Sequence, residues 1–353
     1  MSVWTDFLAT RGALFDRQSV TSFGDPAAEL AAARDHAVVC DLTPLGVLRV
    51  AGPDAADFLQ GQLTSDVLSL APGTSQLTAW CSPKGRMLAN FLVRRIDGAA
   101  FELMLPLTLL DTVRTRLSLF VLRSKLTIGD ASGASVRVGV GGPDASVAIR
   151  GVFGDAPALL RSMATTDGAV VALRGGGFVV HTEPQQATAL WDRLAAAARP
   201  AGFPVWQWLT IQAGVPVITP PTADRFVPQT ANWDALDGVS FQKGCYTGQE
   251  IVARTQYLGR LKERLVLAHV DADADAPAPG DRLYSPAFGD QPCGTVVNAA
   301  SAPGRGADLL AVLQLAARDD GAVHLGAPDG RELALLPLPY PLPAAALPRG
   351  RRA

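Results

Sequence analysis

Residues 50–55 read Val-Ala-Gly-Pro-Asp-Ala, and residues 140–145 read Val-Gly-Gly-Pro-Asp-Ala. Each copy follows a short β-like stretch, Gly46–Val50 in the first case and Ser135–Val140 in the second. A proline in a first helical turn, with Asp-Ala behind it, marks a strand passing into a helix. After further strand-like runs, each copy is followed by an amphipathic helix. The first spans Leu107–Phe120, with Leu110, Val113, Leu117 and Phe120 at helical spacing. The second spans Pro184–Ala198, with Ala187, Leu190, Trp191 and Leu194 spaced likewise. The strand-like runs between them are Ala89–Ile96, Phe101–Leu105, Ala169–Leu173 and Phe178–His181. Two successive strand–helix–strands–helix units predict an α+β region built by duplication, with the repeat boundary near residue 130.

The pattern changes after Lys262. Arg264–Val270, Asp281–Tyr284, Cys293–Asn298, Leu309–Leu315 and Glu332–Leu336 are short strand-like runs separated by Gly, Pro and Asp. Regular short strands with turn chemistry and no helix predict a small antiparallel β-barrel. Asp271–Gly280 reads as an exposed loop within it, and the proline-rich, then basic, Pro337–Ala353 as a tail that frays. The expected organisation is an α+β region over 1–262, a barrel over 263–341 and a tail over 342–353.

A chain of 353 residues has room for two or three domains. With 48% hydrophobic and 18% charged residues, it is globular rather than disordered. A formal net charge of −2 argues against bulk electrostatic binding to nucleic acid. Cys40, Cys81, Cys245 and Cys293 lie far apart, with no C-x-x-C pair, which excludes a disulfide framework and suits a reducing cytoplasm. The isolated histidines give no zinc pattern. No apolar run of about 18 residues signals a membrane helix, and Met1-Ser-Val-Trp-Thr-Asp-Phe lacks the form of a signal peptide. A cytosolic monomer is expected. Gly139-Val-Gly-Gly142 and Gly175-Gly-Gly177 match no phosphate-loop pattern and read as turns.

One octapeptide carries chemistry: Lys243-Gly-Cys-Tyr-Thr-Gly-Gln-Glu250. Thr247 followed by Glu250 fits a capping box, and Gln249–Gln256 continues without Gly or Pro. Cys245 then stands two residues before the cap, near the positive end of a helix dipole and beside Lys243. Both effects favour thiolate. The alternative is a buried, inert cysteine. Glu250 and Arg254, at i and i+4, either pair with each other or serve the site.

With its flanks Phe226-Val-Pro-Gln229, Gly238-Val-Ser-Phe241 and Ile251-Val-Ala-Arg254, this octapeptide closely resembles the signature of YgfZ-like folate-binding proteins. These belong to the superfamily of the glycine-cleavage T-protein, an aminomethyltransferase. Phe58-Leu-Gln-Gly-Gln-Leu-Thr-Ser-Asp66 and Ser82-Pro-Lys-Gly-Arg-Met87 agree with the same pattern. The resemblance runs from about residue 35 to 335. It implies two intertwined α+β units and a C-terminal barrel, arranged as a ring around a central hole.

The resemblance further implies tetrahydrofolate as cofactor and a set of site residues. Cys245 would be the reactive group, with Lys243 beside it. Gln62, Thr64, Asp66, Gln229, Tyr246, Gln249, Glu250 and Arg254 would line the folate pocket. Lys84 and Arg86, in a turn after Gln76–Cys81, would grip the anionic folate tail, although a charged turn is equally the tip of a solvated hairpin. Gln62, Thr64 and Asp66 also have a plain reading as capping and turn residues. Phe203, Trp206 and Trp208 read as core, and Trp233 as either core or ligand wall.

The chain also departs from the T-protein pattern. Where T-proteins carry a Gly-Gly-Ile-x-Asp-Asp type segment, this sequence has Gly85-Arg-Met-Leu-Ala-Asn90, and neither Ala89 nor Asn90 is a carboxylate. Where T-proteins carry Gly-Tyr-Thr-Gly-Glu, it has Arg174-Gly-Gly-Gly-Phe178, again without an acid. Aminomethyl transfer by that mechanism is therefore not expected. The resemblance implies a folate-binding accessory protein that supports iron–sulfur clusters in client enzymes or works with assembly proteins, with an indirect effect on tRNA modification. The alternative is a folate-dependent one-carbon transferase or demethylase.

Overall fold

The computed structural model describes residues 3–257, 261–271 and 276–343. The chain opens with α1 (Val3–Thr10), the hairpin β1 (Leu14–Asp16) and β2 (Ser19–Ser22), α2 (Pro26–Asp35) and β3 (Val38–Asp41). The first unit is β4 (Leu45–Ala51), α3 (Ala55–Gln62), β5 (Ser75–Cys81), β6 (Met87–Arg95), β7 (Ala100–Pro106), α4 (Leu107–Ser118) and β8 (Thr127–Asp130). The second is β9 (Val136–Gly141), α5 (Ala145–Phe153), β10 (Ser162–Thr165), β11 (Gly168–Ala172), β12 (Phe178–Thr182), α6 (Ala187–Ala195) and β13 (Arg199–Ala201). Helix α7 (Phe203–Gln212) and a long connection lead to α8 (Gln249–Tyr257). The C-terminal part holds β14 (Glu263–Val270), β15 (Arg282–Tyr284), β16 (Gly294–Ser301), β17 (Ala307–Gln314), α9 (Leu315–Asp320), β18 (His324–Leu325), β19 (Arg331–Glu332) and β20 (Ala334–Leu336).

The duplication is visible in the sheets. The first sheet has the order β5-β6-β7-β4-β8 and the second β10-β11-β12-β9-β3-β13, so four strands take equivalent places in each. The repeated hexapeptides make the same junction. Gly52 and Gly142 hold positive φ, and the N–H of Ala55 and of Ala145 reaches back to its glycine carbonyl at 3.1 Å. A Cβ on Gly142 would collide with the backbone of His36, which is why glycine is required there. The units interlock because β3, which precedes the first unit, pairs with β9 and β13 of the second.

The sequence pattern marks α4 and α6 because their buried faces recur at helical spacing: Leu110, Val113 and Leu117 in α4, and Ala187, Leu190, Trp191 and Leu194 in α6. Helix α4 stops at Ser118, and Phe120 is exposed rather than on its buried face. The Gly139–Gly142 run also departs from expectation. Gly139 and Gly141 lie inside β9, not in a turn. A Cβ on Gly139 would sit 2.6 Å from the Trp206 ring, and one on Gly141 2.5 Å from Leu209. These bare positions let α7 lie directly on the strand. Gly175 and Gly176 do form a positive-φ turn.

Helix α7 gives no amphipathic signal because it is apolar nearly all round, as befits a helix covered on several sides. Trp206 packs toward β9, while Trp208 donates its indole N–H to Asp308 of β17 at 2.7 Å. Gln212 and His269 of β14 also bond Asp308, at 2.8 and 2.7 Å. This network joins α7 to the nearly closed seven-stranded antiparallel sheet, of order β19-β18-β15-β16-β17-β14-β20. The barrel is not free of helix, since α9 follows β17. Beyond it, Leu338 and Tyr340 pack on the main core, and the Tyr340 hydroxyl donates to the Gly214 carbonyl at 2.7 Å. The rest of the expected tail, 344–353, and residues 272–275 of the expected loop lie outside the described residues. Among the described residues, no helix is long and apolar enough to cross a membrane.

Candidate functional site

The quoted motifs come together on one face. The 82–86 turn between β5 and β6 packs against the start of α8, where a Cβ on Gly85 would stand 2.8 Å from that of Ile251. Gly248, at φ +83, abuts the Ser82 carbonyl and the Gly85 Cα, so two glycines permit the close approach. Residues 224–226 extend the contact: Asp224 N–H donates to the Met87 carbonyl and Met87 N–H to the Phe226 carbonyl, both at 2.8 Å. Gln229 ties in α8 by donating to the Val252 carbonyl at 2.7 Å, while its own Oε1 is buried without a partner. On the other side, Thr64 donates to the Gly238 carbonyl at 2.6 Å, and Ser240 N–H to the Thr64 carbonyl at 2.9 Å.

Lys243 completes this assembly. Its ammonium donates to the carbonyls of Gln60, Leu63 and Ser65 at 2.6, 2.5 and 2.9 Å. It thereby caps the C-terminal end of α3, where carbonyls lack helical partners and the dipole is negative. The ammonium also lies 5.1 Å from the centre of the Tyr246 ring. Burial pushes it down to about 8, opposed in part by Asp66; the carbonyl acceptors hold the charged form. Tyr246 is buried, and its phenol is pushed up by the same loss of solvent.

Cys245 is exposed, whereas Cys40, Cys81 and Cys293 are buried. The environment expected for it is altered in two respects. The donors of Lys243 are taken up by carbonyls at and just beyond the end of α3 rather than directed to the thiol. Helix α8 begins at Gln249, with Val252 N–H donating to the Gly248 carbonyl at 3.3 Å, so Gly248 takes the cap position expected of Thr247. The reason is the Gly248–Gly85 contact, which only a left-handed glycine allows. Among the described residues, no capping-box bonds join Thr247 and Glu250, and no ion pair joins the exposed Glu250 and Arg254.

The remaining candidates on this face have modest contacts. Gln249 donates to the Gly244 carbonyl at 3.4 Å. Asp66 accepts from Gln60 at 2.9 Å, and Thr64 is buried within the backbone contacts given above. Gln62 is half-buried, with an unpaired Oε1. Lys84 and Arg86 are exposed at the hairpin tip, where Arg86 reaches the Asp224 carbonyl at only 3.5 Å.

A second place lies where the two units, α7 and the barrel meet. A cavity of about 490 Å³ is walled by Leu77, Phe91 and Met104 of the first unit, Leu173 and Arg174 of the second, and Trp206 and Thr210 of α7. Residues 215–217 and 219–221, with Asn298 of β16, help to complete it. None of the candidates from the octapeptide, from 62–66 or from the 84–86 turn lines this cavity. Trp233 does line it, fully buried and with its indole N–H unpaired. Phe203 and Trp206 do so as well, beyond their expected role as core.

The lining is mostly apolar, and among the described residues Arg174 is its one charged group. Arg174 donates to Asp237 at 2.6 Å, while its Nε is buried without a partner. Asn90 closes the Gly85–Asn90 stretch, which holds no acid. Its amide is engaged at both ends, donating to the Pro216 carbonyl at 2.7 Å and accepting from Ile218 N–H at 2.8 Å. It holds the 215–221 strap in place, and among the described residues no carboxylate faces the space. An apolar cavity of this size with a few polar groups fits a flat heteroaromatic ligand such as a pterin with its aryl group. Sequence spacing could not reveal this site, because its walls come from all parts of the fold; the signals were the Arg174–Phe178 glycine run, Asn90 and the reading of Trp233 as a ligand wall.

Comparison with known proteins agrees with this architecture. The family model described as the GCVT N-terminal domain matches residues 10–235. A protein named "tRNA-modifying protein YgfZ" from Sodalis glossinidius (strain morsitans) is 35% identical over 295 residues, covering 82% of this chain and 88% of that protein. A protein of the same name from Enterobacter sp. (strain 638) is 32% identical over 322 residues, covering 90% and 97%. Among solved structures, the glycine cleavage system aminomethyltransferase T from Bartonella henselae superposes with a TM-score of 0.75 at 16% identity, over 95% of this chain and 96% of that one. That likeness concerns the fold. By sequence and by architecture together, the chain belongs to the YgfZ group of the GCVT-domain family.

Proposed function

We propose that this chain binds a reduced folate in its central cavity and acts as an accessory protein for iron–sulfur enzymes, reaching tRNA modification through them. The observation that carries this reading is the cavity itself. It is mostly apolar and of a size suited to a folate, while Asn90 is committed to the 215–221 strap and, among the described residues, no acid faces the space. A bound folate would supply one-carbon chemistry, while the protein would contribute the apolar walls, the Trp233 indole and the Arg174 guanidinium. The YgfZ name of the relatives supports a link to tRNA modification. Cys245, exposed and outside the cavity, would be the group that meets a client. Alone it cannot hold a cubane cluster, which takes about four ligands, and the described residues contain no metal-binding group of His, Cys, Asp and Glu.

Calorimetry with tetrahydrofolate tests the ligand. Binding is expected to weaken about ten- to a hundredfold in Arg174→Ala, the worth of one charge-assisted hydrogen bond. It should be unchanged in Cys245→Ala and in Lys84→Ala/Arg86→Ala. A cell lacking the chain should lose activity of a cluster-dependent tRNA-modifying enzyme, and Cys245→Ala should fail to restore it. Steady methylene transfer from an aminomethyl donor would overturn the accessory reading.

A further inference from the structure

Residues 233–245 touch both the cavity and the Cys245 face. At the start of this segment, Trp233 lines the cavity. Gly238 lies against that indole, and a side chain there would collide with it. Between them, Asp237 holds φ +59 and accepts from Arg174, the charged group of the cavity wall, at 2.6 Å. The segment then fastens to the first unit through the Gly238 carbonyl, Ser240 and Lys243, and ends at the exposed Cys245.

The Arg174–Asp237 pair is only partly shielded from water. Its carboxylate is 83% exposed while the guanidinium is 20% exposed, so water competes for one partner and the net attraction is small. A negative group inside the cavity would meet the same guanidinium in a drier setting, where the attraction is stronger. The buried, unpaired Nε of Arg174 is a donor still available for it.

We propose that an anionic ligand in the cavity draws Arg174 away from Asp237 and so loosens the Asp237 end of the 233–245 segment, making cavity occupancy a control on the reactivity of Cys245. The inference rests on the reading that a folate, which carries carboxylates, fills the cavity. In that scheme Arg174 senses ligand charge, and Asp237 is a positioning residue outside the cavity lining.

The test is the rate of Cys245 alkylation by iodoacetamide in the full chain, followed by mass spectrometry, with the buried cysteines as internal reference. Saturating tetrahydrofolate should raise that rate about fivefold or more, within the usual range of coupling between sites. Asp237→Asn should reach the raised rate without ligand, bind tetrahydrofolate more tightly, and show no further response to it. Two results would overturn the coupling: ligand binding seen by calorimetry with no change at Cys245, or unliganded Asp237→Asn alkylating like the parent. Absence of binding would instead remove the folate reading. The unliganded Asp237→Asn rate would still decide whether the segment couples the two places.

Discussion

Lys243 is a cation enclosed by carbonyls. Burial holds its ammonium near 8, against an ordinary value of 10.5. Between those two values the unfolded chain binds a proton that the folded chain has given up, so unfolding takes up a proton and rising pH opposes it. The parent should therefore gain stability relative to Lys243→Met as pH rises from about 8 to 10.5. Urea unfolding of both proteins across that range measures the difference, and a flat difference would show that the three carbonyls fully offset the burial. The octapeptide was legible as a family signature, yet the orientation of its lysine was not. Sequence places Lys243 beside Cys245, whereas the carbonyls it caps belong to residues 60–65, far away along the chain.

At the scale of elements, the contact between the 82–86 turn and α8 depends on two left-handed glycines. Gly248→Ala would place a methyl group against the Ser82 carbonyl at φ +83. Backbone strain alone should cost about 1–3 kcal/mol, measured as a lower urea midpoint, with protease sensitivity rising first at α8. A variant as stable as the parent would mean that the helix start can shift without loss. The duplicated units were legible because amphipathic helices and alternating strands write their burial into residue spacing. Helix α7 was not, since burial on several faces erases the spacing. The glycines of β9 likewise carry no pattern of their own, because the Trp206 and Leu209 side chains that require them sit on another element.

Across the whole molecule, Asp308 fastens α7 to the barrel through Trp208, Gln212 and His269. In Asp308→Ala the Trp208 and Gln212 donors lose their acceptor, at about 1–3 kcal/mol for each one left buried. Thermal unfolding should register the loss. Tetrahydrofolate affinity should fall with it, because α7 also walls the cavity; unchanged affinity would show that the wall does not rely on this fastening. The interlocked sheets have a kinetic consequence too. Strand β3 is made early on the ribosome, but its partners are β9 and β13, the latter emerging only after nearly all of the second unit. The nascent chain must carry an unpaired apolar strand through the synthesis of the first unit. Such late, non-local pairing slows folding and exposes a chain to aggregation, and a fragment ending near residue 130 would keep that strand unpaired permanently.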